Sequence, residues 1–503
     1  MSFFNYVYTC GKGQPDPQFV RIEPSLPKTR CEAITDWFKW GVTYPFTLAH
    51  GLYNIGLLSI YREFHKPTSL NIYSRNKIHS MPILGKAKFH VVSSCPVIQA
   101  IVKYPRNDPA GPFQGKRASE VLTPLLEDLF NEKIEDNDFL LTCFKEKTES
   151  YRKPILDLIG AENAKWVESQ LEEIVSKTMS NLQKMEINGV VKINAADITE
   201  TFTVEVLSRM LFGYVCSDKE YQKIEHDIGT LVKYQLLRQK PCGASAEQRK
   251  NYHAALTKIR LTIDKSKGPF DHILKKTELS DVQAKGLILL LYIGGSEPPS
   301  SVLQYMLWQL GQHKEVQEKI LKELRENESS TTWQGHPYIH ACIAEALRLL
   351  NPGERSSRFA RIDLDFIFET KGKPNYVYRI PKDEGILCSP HLIGRDPHNF
   401  PDPDRFRPER FLPKSMKEEE WEPFEHFHRW KPFSQGVHSC PGQALAIREL
   451  QSLPSAIVKT YDISSLPQKK ELRVKGLPTT NEIGEPVTLI LTRRKIDEAL
   501  DYE

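Results

Sequence analysis

The sequence predicts a mainly α fold with a small β-region, folded as a single domain. Two observations carry most of that expectation. From about Ser93 to Gly353, apolar residues return every three or four positions, the period of helices that bury one face. After Gly353, Pro, Gly and aromatic residues multiply, and short alternating pieces replace the helical pattern. A third observation is that no repeat, low-complexity block or obvious linker divides the 503 residues, although length alone has room for about three domains.

In chain order, residues 1–66 read as an irregular, aromatic-rich leader without a membrane-spanning helix, packing on the body, and residues 67–503 read as the main domain. "HSMPILGKAKFHVVSS" (79–94) alternates like a hairpin with Gly85 and Lys86 near its turn. "GAENAKWVESQLEEIVSKTMSNLQKM", "TETFTVEVLSRMLFG" and "YQKIEHDIGTLVKYQLL" each repeat the helical spacing. "SDVQAKGLILLLYIGG" opens with Ser280, whose hydroxyl can accept from a free N–H at a helix start. "KEVQEKILKELREN" and "HACIAEALRLL" continue the helical pattern. Beyond them, "FARIDLDFIF", "YVYRI" and "VTLILTRR" read as strands, so the β-region is expected to draw on both chain ends.

Lys and Arg total 68 against 64 Asp and Glu, a net charge of +4. That balance gives no reason to expect nucleic acid as a partner. Nine cysteines without a C-x-x-C pair form neither a disulfide framework nor a closely spaced zinc site, and they suit a reducing compartment. The N-terminus lacks a basic stretch leading into an apolar one, so no secretory signal is expected. The longest apolar run, "GLILLLYI", falls short of the ~20 residues a spanning helix needs. The expected location is intracellular, either cytoplasmic or peripherally membrane-associated. The stretch "DWFKWGVTYPFTLAHGLYNIGLL" suits buried packing or peripheral membrane contact.

The most informative stretch is "KPFSQGVHSCPGQALAIREL" (431–450): an aromatic-anchored loop, then Cys440, then Pro441 and Gly442 opening an amphipathic helix. Gly436 allows a tight turn and Gly442 a close approach to the backbone. A helix N-terminus and backbone N–H groups help a thiolate stay ionised. Three readings of Cys440 stay open on local chemistry: a buried structural cysteine, a nucleophile with His438 as base but no supporting Asn or Asp, or an axial thiolate ligand to haem iron.

The pattern Phe433-x-x-Gly436-x-His438-x-Cys440-x-Gly442 resembles the cysteine-ligand loop of the cytochrome P-450 family, which more often has Arg where His438 stands. "EALR" is similar to that family's Glu-x-x-Arg helix at Glu345 and Arg348, and "FPDPDRFRPERF" to its segment ending in Arg410 and Phe411. "RFARID" is similar to the strand whose Arg, here Arg358, meets a haem propionate. The order and spacing of the four motifs agree over roughly residues 70–500. The resemblance implies haem b (iron protoporphyrin IX) held by Cys440 and covered by Phe433, with Gly436, His438, Gly442 and Arg358 around it. It implies a structural network of Glu345, Arg348 and Arg410 behind the haem. The family often places Trp four residues before a propionate-binding Arg; "KTESYRKPI" offers Arg152, with Thr148 at the Trp position.

The family's central helix carries Ala/Gly-Gly-x-Asp/Glu-Thr-Thr/Ser over the oxygen-binding face. Here the matching run is Gly294, Gly295, Ser296, Glu297, Pro298 and Pro299. Small residues and the acid are kept; the alcohol is replaced by Pro298. Interior proline costs ~3 kcal/mol and supplies no N–H. The carbonyls of Gly294 and Gly295 are therefore expected to face an opened groove, toward water or substrate. Ser301, one turn beyond Pro298, is the candidate replacement in the proton relay.

Pro298 and the "CPG" run look like the branch with sterol hydroxylases and prostacyclin synthase. The resemblance implies a monooxygenase that inserts one oxygen atom of O2 into a lipophilic small molecule, with an NADPH-reductase or ferredoxin-type donor. Its alternative is an O2-independent isomerase, dehydratase or peroxide-using enzyme. A haem-bearing carrier is disfavoured by Glu297 and the two glycines. A lid at 104–122, donor docking near "HFHRWK", Lys414 and Lys417, and a monomer complete the expectations.

Overall fold

A computed structural model describes the strands within 5–22 and 78–92, residues 98, 101, 113–114 and 117–130, several residues of 223–234, and most of 145–213, 244–264, 268–327, 336–412 and 430–495. Its principal helices are α1 (Arg117–Phe130), α2 (Lys145–Ile159), α3 (Ala164–Lys184), α4 (Ala195–Phe212), α5 (Ala246–Asp264) and α6 (Pro269–Leu274). They continue with α7 (Asp281–Gln312), α8 (Lys314–Glu326), α9 (Pro337–Leu349), α10 (Pro390–Gly394) and α11 (Gln443–Thr460). The fold is mainly α, as the helical periodicity predicts.

Small sheets flank the helices. Strands β1 (Asn5–Thr9) and β2 (Gln18–Ile22) pair with each other, and β1 runs parallel to β8 (Leu364–Thr370), which pairs with β9 (Lys373–Ile380). Residues 1–66, read from the sequence as irregular, thus contain two strands; the short segments offered too little alternation to announce them. The hairpin of β3 (Ile78–Pro82) and β4 (Lys88–Val92) joins β10 (Gly385–Cys388), β7 (Ser356–Ala360) and β5 (Phe113–Gln114). The strands β12 (Val474–Gly476) and β13 (Asn481–Ile483) form a separate pair. A three-stranded sheet combines β11 (Tyr461–Leu466), β14 (Thr488–Arg493) and β6 (Val190–Asn194). The helical reading of 93–353 passes over β6. Its local cause is the turn at Asn188 and Gly189, both at positive φ, the conformation that tight hairpin connections require.

Helix α7 runs through the core, packing on α4, α9, α11 and β11. Ser280 caps it: the hydroxyl accepts from Gln283 N–H at 3.3 Å, and the Gln283 side chain accepts from Ser280 N–H at 2.8 Å. That reciprocal pair satisfies two donors a helix start leaves free. The prolines do not end the helix, which is continuous from Asp281 to Gln312.

Helix α9 is buried along Tyr338–Leu349. Its N-terminus is capped from outside: Glu323 of α8 accepts from Tyr338 N–H at 2.5 Å and Ile339 N–H at 3.0 Å. Burial nevertheless pushes the Glu323 carboxyl up to about 7. Further along, Glu345 and Arg348 are both 0 % exposed. Arg348 donates to Glu345 through Nε (2.7 Å) and Nη2 (2.8 Å), and Arg410 Nε reaches Glu345 Oε1 at 3.1 Å. The remaining Arg348 donors reach the carbonyls of Gly394, Pro403 and Arg405. Arg410 likewise donates to Pro401 and Asp402. The network therefore holds segment 394–410 against α9.

Breaking one partner of a buried pair strands the other, at about 3–5 kcal/mol. Glu345→Gln is expected to lose stability of that order in chemical denaturation. His340, also on α9, touches Gln451 of α11; burial first, with His336 adding, lowers its pKa to about 4. The unfolded His takes its proton near 6.5 while the folded one resists. Its contribution is complete above about pH 6.5 and lost as pH falls through about 4. Wild type should thus lose stability over that window more steeply than His340→Gln, as read by denaturant midpoints.

Candidate functional site

The loop before α11 closes on itself through the backbone. Cys440 N–H donates to Phe433 O at 2.8 Å, and Ser439 N–H donates to Gly436 O at 3.0 Å. Gly436 sits at φ 74°, in the left-handed region that glycine enters without steric cost. Phe433 is partly buried against the core. His438 lies outside the described residues.

Of the free cysteines described, Cys342 and Cys388 are buried, whereas Cys440 has exposed surface. Protein nonetheless surrounds the Cys440 thiol closely enough that burial pushes its pKa up, while a Gly442 N–H bond and the Arg152 charge oppose that rise. A side chain at Gly442 would have its Cβ 3.9 Å from the sulfur, so glycine leaves that flank of the thiol open.

The other wall of the expected site lies on α7, which packs against α11. Gly294 is exposed and a Cβ there would meet nothing within 4 Å. Gly295 turns the other way, its Cβ position 3.0 Å from Leu207 of α4, so that glycine serves close helix packing. Glu297 is half-buried and Ser301 buried. The hydroxyl that pairs with α4 is that of Ser300, 2.9 Å from Thr199 Oγ1; no spacing in the sequence announces this pair. Pro298 and Pro299 leave the Gly294 and Gly295 carbonyls without their helical donors by covalent structure. One turn earlier, Ser296 Oγ donates to Tyr292 O at 2.9 Å. The helix keeps its path around those two missing bonds.

Arg358 on β7 is 1 % exposed. Arg152 on α2 is brought to the cysteine loop, with Nη1 donating to Ser439 O at 2.5 Å and Nη2 to Ser439 Oγ at 3.2 Å. Sequence reasoning placed Arg152 near a cofactor but had no signal for Ser439. Glu345, Arg348 and Arg410 form the network described above, away from the thiol loop in sequence. Lys414 and Lys417, expected at a docking surface, and most of the "HFHRWK" stretch lie outside the described residues, as do 104–112 and 115–116 of the expected lid.

The model of the family described as cytochrome P450 matches residues 135–483. The chain belongs to the cytochrome P450 family. Its cofactor is therefore haem, iron protoporphyrin IX. The donor set fits that group: a thiol with an N–H donor and a cation beside it, glycine at two approach points, and a buried guanidinium.

Among curated proteins, the chain is 32 % identical over 184 residues to "Probable cytochrome P450 4s3" of Drosophila melanogaster, covering 37 % of this chain and 34 % of that one. It is 31 % identical over 207 residues to corytuberine synthase of Coptis japonica, covering 40 % and 39 %. It is 28 % identical over 212 residues to the mitochondrial sterol 26-hydroxylase of Rattus norvegicus, covering 41 % and 38 %. The matched stretches thus span well under half the length of these relatives. No described helix is long and apolar enough to cross a membrane.

Replacing Pro298 with Thr restores an N–H to the ladder. Removing the ~3 kcal/mol interior-proline cost, less the ~1 kcal/mol by which proline restricts the unfolded chain, leaves a gain of about 2 kcal/mol. Chemical denaturation of Pro298→Thr is expected to show it.

Proposed function

We propose that this P450 is a haem-thiolate monooxygenase that places one oxygen atom of O2 into a lipophilic small molecule, with electrons from an NADPH-reductase or ferredoxin-type donor. The observation that carries this is the Cys440 loop: an accessible thiol at the start of α11, its pKa raised by burial and opposed by a Gly442 N–H bond and the Arg152 charge. When bound, haem supplies O2 activation, and thiolate ligation favours O–O cleavage.

The chain's own residues then take distinct parts. Cys440 supplies the anionic sulfur, and the N–H groups around it tune the donor strength. Phe433 covers the loop and excludes water. Arg358 supplies a buried cation for a carboxylate of the cofactor. Gly294 leaves room for substrate on α7. Glu297 and Ser301, with water, hold and pass protons on that side in place of the alcohol that Pro298 displaces. The carbonyls of Gly294 and Gly295 offer acceptors to that water. The lipophilic substrate class follows from the general rule that ligand sites are mostly apolar with a few polar anchors.

The reduced, CO-bound protein is expected to show the red-shifted Soret band of thiolate ligation, and Cys440→Ser to lose it. NADPH consumption matched to product, with a redox partner and a lipophilic substrate present, supports the monooxygenase. Turnover with a hydroperoxide alone, or with no reductant, would instead establish the O2-independent class that Pro298 keeps in play.

A further inference from the structure

Arg152 has a partner that the family pattern does not supply. On α2, Thr148, Tyr151, Ile155, Leu158 and Ile159 form the buried face, and Arg152, half-buried beside them, extends onto the cysteine loop. Its Nη1 donates to the carbonyl of Ser439 at 2.5 Å and its Nη2 to the Ser439 hydroxyl at 3.2 Å.

The carbonyl of Ser439 and the N–H of Cys440 belong to one peptide plane, and a peptide plane turns as a rigid unit. Both ends of this plane are engaged. The N–H donates to Phe433 O at 2.8 Å; the carbonyl accepts from Arg152. Charge-assisted bonds of the second kind are shorter and about twice as strong as neutral ones. A rotation that redirected the Cys440 side chain would break both together.

The geometry points to Arg152 as a positioning residue of the sulfur: it fixes the Ser439–Cys440 peptide plane, and hence the direction of the Cys440 side chain, without acting through a propionate. This rests on Cys440 being the ligand. Ser439 takes part through its hydroxyl, which gives the guanidinium a second acceptor and sets its orientation. The fork of an arginine can bond carbonyl and hydroxyl at once, whereas the single ammonium of a lysine cannot hold that geometry.

The test loads wild type, Arg152→Gln, Arg152→Lys and Ser439→Ala with protohaem and, separately, with protohaem dimethyl ester, whose propionates carry no charge. The readout is the rate at which the reduced CO complex loses its red-shifted Soret band. Arg152→Gln is expected to lose it at least ten-fold faster than wild type with either cofactor. Arg152→Lys and Ser439→Ala should fall between the two. Should Arg152→Gln fail to take up cofactor, Arg152→Lys carries the comparison, several-fold faster loss being expected. Wild-type rates in the arginine variants would overturn the inference. So would an effect seen with protohaem and absent with the ester, because Arg152 would then act through a propionate. A red-shifted band surviving in Cys440→Ser would instead overturn the ligand assignment itself, so the two failures are told apart.

Discussion

A charge removed from water must find its compensation inside the protein, and the arrangement around Glu345 shows how fully this chain meets that demand. One buried carboxylate accepts from two guanidinium groups and from the Arg407 N–H, and the guanidinium donors left over end on backbone carbonyls of 394–405. Such a network is tolerable only when every member is present. Its consequence is mechanical: an irregular segment with little secondary structure of its own is held against a fully buried helix.

The same constraint governs the thiol. An isolated buried thiolate would be as costly as an isolated carboxylate. Here burial pushes the Cys440 thiol up, and a backbone N–H and the charge of Arg152 act the other way. The surrounding loop spends its few polar groups on holding one peptide plane. Glycine appears beside the sulfur at Gly442 and where α7 approaches Leu207 of α4 at Gly295. The prolines fit this picture as a local exchange, in which a helix gives up two donors and keeps its path.

Much of this was legible in the sequence, for physical reasons that differ from place to place. Ser280 announced the start of α7 because capping is a local interaction. Glu345, Arg348 and Arg410 were legible because their runs resemble motifs of the family, and Gly436 because glycine allows a tight turn there. The strand β6 was hidden between two strong helices, since its partner β14 lies hundreds of residues away in sequence. β1 and β2 were hidden because each is too short to alternate clearly, although they pair with each other. The bond from Arg152 to Ser439 spans 287 positions, and neither residue type signals the other. The Thr199–Ser300 pair joins two helices whose sequences read simply as apolar. Long-range polar pairs of this kind leave no periodic trace.

The central claim is a bond between the Cys440 sulfur and iron, and X-ray absorption at the iron edge measures it most directly. The purified haem-loaded protein is expected to show a single sulfur scatterer in the first shell of the iron, absent in Cys440→Ser. A first shell of nitrogen and oxygen alone in the wild-type protein would contradict the account.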